Sequence, residues 1–248
     1  MKQLRQYIRQ ILSESMWGMS EAEIKDLYFL IDEVEADYIR ILAYELDPKT
    51  HKETIAPVDF LFAHTSIGEI HIKRHDGNVW EYKEGPCAGT WHIAFSSAEH
   101  GLGPLLYDLA MEVAGADGIM PDRNSVSEEA RKVWRYYKTR RSDVKAIPLD
   151  YIDAPFVTKD DLSDDCTQHI FLEDEEGEYS IRLGREEFDK SAYFNHWATH
   201  RYVKHPLHGK TIKALHDKER LGFDGLLTDA FRKRMSNIGI KTIYLSKR

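Results

Sequence analysis

Residues 96 to 104 read Ser-Ser-Ala-Glu-His-Gly-Leu-Gly-Pro, and this stretch carries the clearest chemistry in the chain. It follows a short apolar run, Trp91 to Phe95, with the aromatic and branched composition of a buried strand. It precedes a segment with apolar residues at 105, 106, 109, 110 and 113, the spacing of a helix. Pro104 suits the first turn of that helix, where a missing N–H would have no partner anyway. The unit predicts strand, glycine-bearing turn, helix. A helix N-terminus offers unpaired N–H groups and the positive end of the helix dipole, and glycine lets a ligand approach the backbone. Ala98, Glu99, His100, Gly101, Leu102, Gly103 and Pro104 are therefore the candidate phosphate-binding residues. The same two glycines also suit a tight turn that holds no ligand.

Strand alternation places His92, Ala94 and Ser96 on one face and Trp91, Ile93 and Phe95 on the other. His92 and Glu99 are then the basic candidates beside the turn, and both residue types are equally at home in an ordinary core or surface. His196 and His200 stand i, i+4 on an expected helix, with His205, His208 and His216 beyond. That spacing suits zinc, but no glutamate completes a His-Glu-x-x-His pattern, so solvated or core-capping histidines are expected and no metal site. Neither a Gly-x-Ser-x-Gly elbow nor a P-loop lysine is present.

The elements that must position these residues follow from periodicity. Residues 2 to 15 put Leu4, Ile8, Ile11 and Leu12 on one face of a helix and Lys2, Arg5 and Arg9 on the other. Gly18 breaks it, and Ser20 with Glu23 forms a capping box that predicts a second helix with Ile24, Leu27, Tyr28 and Ile31 as its stripe. Strands are expected over 38 to 46 and 58 to 63, and 67 to 74 is expected to turn back at 75 to 78 into 79 to 82 as a hairpin. After the central strand and helix come a short strand at Gly118-Ile119-Met120, a helix opened by Ser125 and Glu128, and a strand from Val144 to Leu149. Beyond Asp150 the pattern gives an acidic connection, a hairpin around Asp174 to Gly177, a helix from Glu186 to Tyr202, two more helices and a closing strand from Lys241. Three parts result: residues 1 to 17 as an amphipathic helix, 18 to 150 as the main domain, and 151 to 248 as an α+β extension.

The chain's 248 residues can bury a core without metal or disulfide help. Hydrophobic residues make up 42% and charged residues 31%, the balance of a globular protein. A net charge of −8 argues against a dedicated nucleic-acid binder. No apolar run is long enough for a membrane span, and the N-terminus lacks the apolar centre of a secretory signal. Two cysteines, Cys87 and Cys166, make no disulfide framework by count, so a reducing, cytoplasmic setting is expected.

The order from Trp91 onward resembles the acyl-CoA-binding core of the GNAT acetyltransferases. Gly101 and Gly103 match the two small positions of that family's pyrophosphate loop, while its Arg or Gln position falls on Ala98. Ser127, Ala130, Val133 and Trp134 resemble its Asn-x-x-Ala-x-x-Leu-Tyr helix, with Ser for the Asn and Trp for the acid Tyr. The resemblance implies an α+β fold, a GNAT-like mixed and mostly antiparallel sheet flanked by helices. It also implies acetyl-CoA as cosubstrate and an amine as acyl acceptor. Tyr136 or Tyr137 would replace the missing acid, with His92 or Glu99 as base. Separately, residues 1 to 14 resemble the capsid-targeting peptides of tailed-phage internal head proteins, cut after a Leu-x-Glu such as Leu12-Ser13-Glu14. That implies a prohead scaffold or other virion protein as partner and a place in the phage head; a terminal helix packed on the body, or one lying on a membrane surface, fits the same pattern.

Overall fold

In a computed structural model of the chain, the described residues are 27–45, 66–74, 78–79, 82–83, 87–99, 101–122, 126–151, 157–166, 170–174, 177–181, 190–204, 210–223 and 227–240. In chain order they form strands β1 (Leu27–Val34), β2 (Tyr38–Glu45), β3 (Gly68–Arg74), β4 (Asn78–Val79), β5 (Tyr82–Lys83) and β6 (Trp91–Ala98). Helix α1 (Gly103–Ala114), β7 (Ile119–Met120), α2 (Glu128–Thr139), β8 (Val144–Pro148), β9 (Asp150–Tyr151), β10 (Asp165–Cys166), β11 (Ile170–Asp174) and β12 (Gly177–Ile181) follow. The chain continues with α3 (Lys190–Asn195), β13 (His200–Lys204), α4 (Lys210–Asp217), β14 (Leu221–Phe223) and α5 (Asp229–Asn237). Eight strands share one hydrogen-bonded ladder in the order β14-β1-β2-β3-β6-β7-β13-β8. β1 with β2, and β13 with both β7 and β8, run antiparallel, while β1 with β14 and β6 with β7 run parallel. The fold class is thus α+β, a mixed and mostly antiparallel sheet flanked by helices, as expected. No helix among the described residues is long and apolar enough to cross a membrane.

Chain contacts define two compact units: unit 1 is Met1–Ile72, Phe95–Val113 and His208–Arg248, and unit 2 is Lys73–Ala94 and Ala114–Leu207. In unit 1, Phe29 and Ile31 from β1, Ile39 and Ile41 from β2, and Ile70 and Ile72 from β3 are fully buried. Helix α1 is buried almost throughout, and Leu102, Leu106 and Leu109 are among the largest covered side chains. Its Glu112 is 8% exposed and accepts hydrogen bonds at 2.9 Å from the backbone N–H of Thr211 and of Ile212, both in the first turn of α4. Arg234 of α5 donates to the carbonyl oxygen of Val113.

In unit 2, Val133, Trp134, Tyr136 and Tyr137 form the inner face of α2. Gly118, at φ 70° and ψ −176°, holds a conformation open to glycine alone, and a Cβ there would meet the carbonyl oxygen of Tyr202 and Cγ2 of Val203 at 2.7 Å. Arg74 pairs with Asp117 at 2.8 Å, donates to the Gly89 carbonyl at 3.2 Å, and lies 4.7 Å over the Trp91 ring. Buried Arg141 binds Asp143 through two hydrogen bonds of 2.7 and 2.8 Å, so it is an internal strut rather than a solvated helix-end charge.

Several expectations are corrected. The stripe Leu27, Tyr28 and Ile31 belongs to a strand, because Leu27, Phe29 and Ile31 alternate into the core and pair with β2. Residues 78–79 and 82–83 pair with each other and not back onto β3. The cap of α2 is Ser127, whose Oγ accepts from the Ala130 N–H at 3.2 Å, and not Ser125, which lies outside the described residues. The helix expected from Glu186 to Tyr202 ends at Asn195, and the chain passes through a short 3-10 turn, Trp197–Thr199, into β13. Cys87 and Cys166, expected as unpaired thiols, form a disulfide, fully buried beside Met120 and Leu149. The acidic hairpin stands as read, β11 pairing with β12. Residues 1 to 26, the strand expected at 58 to 63 and the closing strand from 241 lie outside the described residues.

Candidate functional site

The site begins where β6 stops behaving as an interior strand. Trp91 and Ile93 are 4% and 6% exposed, but Ala94 to Ala98 are all exposed, and Phe95, on the same face as those two, reaches 46%. Among the described residues the β6–β7 ladder comprises two pairs, Trp91 with Ile119 and His92 with Met120. The C-terminal half of β6 therefore keeps strand geometry without the cover that a central strand normally has.

The turn that follows is tightly specified. Glu99 N–H donates to the Ile67 carbonyl at 2.9 Å, and Leu102 N–H donates to the Glu99 carbonyl at 3.2 Å. Gly101 sits at φ 88°, a backbone state that side-chain-bearing residues resist, and buried Leu102 anchors the turn from below. Leu105 and Leu106 N–H groups both donate to the Leu102 carbonyl, opening α1. A Cβ built on Gly103 meets nothing within 4 Å, so a small side chain there would not collide with the protein. The first turn of α1 carries no acidic side chain. Tyr107, one turn on, contacts the Ser96 hydroxyl at 3.2 Å; burial pushes its phenol up, only partly offset by the Ser96 contact, so it stays protonated.

Six of the seven predicted binding residues, Ala98, Glu99, Gly101, Leu102, Gly103 and Pro104, thus form one contiguous strand-to-helix turn in unit 1. His100 lies outside the described residues. The remaining candidates belong to unit 2. His92 is half-buried on β6 opposite Met120. Tyr136 is 9% exposed and Tyr137 fully buried, their rings 6.2 Å apart, with the Trp134 ring 6.4 Å from Tyr137 and 4.8 Å from Tyr202.

One imidazole beside the exposed strand end escaped the sequence reading. His71 of β3 lies 3.2 Å from the Tyr38 hydroxyl through Nδ1 and 3.1 Å from the Glu69 carboxylate through Nε2, with the Phe95 ring 5.3 Å away. Its alternation with Ile70 and Ile72 was visible, but nothing local showed that Phe95 would be left uncovered.

The two histidines do not share a helix face. His196 Nδ1 accepts the Ala198 N–H at 3.1 Å and caps the 3-10 turn; burial first, then Lys138, Arg135 and Arg131, push its pKa down to about 4. His200 opens β13 and directs Nδ1 at the Thr199 hydroxyl, 2.9 Å away, and at the His196 carbonyl. Lys138 lies beside His200: its ammonium reaches the Phe194 and His196 carbonyls and lies 3.4 Å from His200 Nε2, and burial lowers its pKa to about 8.

No protein-family model, no curated protein and no solved structure matches the chain. What fold and site define is an α+β protein with an uncovered strand end feeding a glycine turn at a helix N-terminus.

Proposed function

We propose that the chain binds a CoA thioester at the β6–α1 turn and acts as an acetyl-CoA-dependent N-acyltransferase on an amine. The observation that carries this reading is the turn itself: Gly101 in the left-handed region and the room for a Cβ at Gly103, at the start of a twelve-residue helix with no acid in its first turn. Such a helix start favours a pyrophosphate through its N–H groups and dipole. The exposed residues from Ala94 to Ala98 lead directly into that turn. Transfer then requires the amine to attack the thioester carbonyl, a base to take its proton and an acid to protonate the departing thiolate. Glu99 at the turn and His71 beside Phe95 are the candidate bases within unit 1.

A second reading, binding without turnover, is favoured by one observation. Trp134 occupies the position where the resemblance places the acid, and it is 1% exposed among other aromatic rings, as is the fully buried Tyr137 beside it. This reading fits a non-catalytic virion protein, and with it the targeting role of residues 1 to 14, whose removal would leave Ser15 as the first residue of protein from its native source.

Isothermal titration with CoA and acetyl-CoA tests the shared step. Wild-type protein should bind, and Gly103→Val should not, because its side chain takes the ligand's space without meeting protein. Absence of heat from millimolar CoA would end both readings. Thiol release from acetyl-CoA over a panel of amines then separates them: release supports transfer, and binding without release supports the second.

A further inference from the structure

Outside the proposed ligand site, unit 2 gathers three aspartates that the sequence reading treated as part of an acidic connection. β9 and β10 pair in parallel, with Asp165 opposite Asp150 and Cys166 opposite Tyr151, and the Asp150 N–H donates to the Asp164 carbonyl at 3.0 Å. Asp150, Asp164 and Asp165 each offer one carboxylate oxygen, and the three atoms all lie within 4.8 Å of one another. Asp150 is fully buried and held in place: Oδ1 accepts the Val157 N–H and Oδ2 the Thr158 N–H, both at 2.8 Å. Asp164 is approached by the Thr158 hydroxyl, 2.9 Å from both oxygens, but one hydroxyl proton serves one oxygen at a time.

Asp165 supplies the independent observation. It is 4% exposed, and its Oδ1 is buried with no hydrogen-bond partner. Among the described residues no lysine, arginine or histidine pairs with it. A buried carboxylate oxygen without a hydrogen bond, beside two more carboxylates, is a costly arrangement. A proton or a cation relieves that crowding.

We propose that Asp150, Asp164 and Asp165 bind one divalent cation, and that the cation is Ca²⁺. The donors are all carboxylate oxygens, which select hard ions over zinc or copper. Size then decides between Ca²⁺ and Mg²⁺. Oxygens on opposite sides of Ca²⁺ lie about 4.6 to 5.2 Å apart, and those around Mg²⁺ at most about 4.2 Å apart. Carboxylate oxygens that all lie within 4.8 Å of one another can reach one ion of the Ca²⁺ size together. Asp150 is fixed by backbone donors and Asp165 by the β9–β10 pairing and the neighbouring Cys166 disulfide, so both carboxylates are held in place. Water completes the coordination, and the ion ties the 157–166 segment to β9.

The test uses the full chain, stripped with chelator and freed of it, at neutral pH. Titration with CaCl₂ should give one ion per chain with Kd of about 10⁻⁴ M, in the range of sites with few protein ligands, and MgCl₂ should bind at least about tenfold more weakly. The melting temperature should rise with CaCl₂. Asp165→Asn and, at the half-exposed position, Asp164→Asn should each weaken Ca²⁺ by about tenfold or more while keeping the ion-free circular dichroism of the wild type; the second variant serves if the first does not fold. Three results would each overturn the assignment: no response of wild-type protein to millimolar CaCl₂, unchanged Ca²⁺ affinity in a folded variant, or equal affinity for Mg²⁺. A gain in melting temperature in Asp165→Asn that CaCl₂ does not alter would assign the relief to a proton instead.

Discussion

Replacing Glu112 tests how unit 1 is held together. Its carboxylate accepts two hydrogen bonds of 2.9 Å from the first turn of α4, in a position 8% exposed, so water cannot readily substitute. Hydrogen bonds to a charged group contribute about 1.5 to 3 kcal/mol each, and a buried donor left without a partner costs about 1 to 3 kcal/mol. Glu112→Ala removes both bonds, so a loss of about 4 kcal/mol is expected. Glu112→Gln keeps one acceptor but turns an NH₂ toward the second N–H, and about 2 kcal/mol is expected to go. For a chain of this size about 1 kcal/mol moves the melting temperature by roughly 2 to 4 °C, which gives a drop of about 8 to 16 °C for Ala and about 4 to 8 °C for Gln. Thermal melts followed by far-UV circular dichroism measure both. If both variants melt within about 2 °C of the wild type, Glu112 does not cap α4, and the estimate built on these bonds fails.

Three further outcomes are expected. A Cys87→Ala/Cys166→Ala variant loses the constraint on a loop spanning 79 residues, up to about 4.5 kcal/mol on a chain-entropy estimate, and a urea midpoint unchanged from wild type would show that the link contributes nothing. His196, with a folded pKa of about 4 against about 6.5 unfolded, contributes stability that is fully present above pH ~6.5 and lost as pH falls toward ~4; His196→Asn, which keeps an acceptor for Ala198, should flatten that acid limb in melts across the window, and an identical slope would contradict the assignment. Gly118→Ala should destabilise by about 3 kcal/mol or more while Gly103→Ala stays near neutral, since the first Cβ meets Tyr202 and Val203 and the second meets nothing; equal melting temperatures would refute the contrast.

What could be read from sequence was local. The strand, turn and helix from Trp91 to Ala114 stand as expected because Leu105, Leu106, Leu109 and Ala110 carry a helical period and Gly101 and Pro104 mark its start. Leu27, Tyr28 and Ile31 misled because three residues at that spacing fit a helix, whereas β1 is fixed by pairing with Ile41 across a tight hairpin and with Leu221, far along the chain. His200 was drawn into a helix for the same reason, and pairing with Pro148 on β8 makes it a strand residue. The exposure of Phe95 depends on where β7 ends, and the convergence of Asp150 with Asp165 on a parallel pair across an irregular segment, so neither leaves a local signal.

Unit 1 draws on three separated stretches of chain, and its closing stretch begins only at His208. Phe29 must wait for Leu221 before β1 gains its parallel neighbour, and Glu112 must wait for Thr211 and Ile212. During synthesis, then, the early strands of this unit emerge long before the residues that complete them, and contacts of such sequence separation form slowly. A ribosome-bound chain halted before residue 208 should carry β1, β2 and α1 with their apolar faces still uncovered. Completion of unit 1 thus awaits the stretch that begins at His208, whatever order the earlier strands form in.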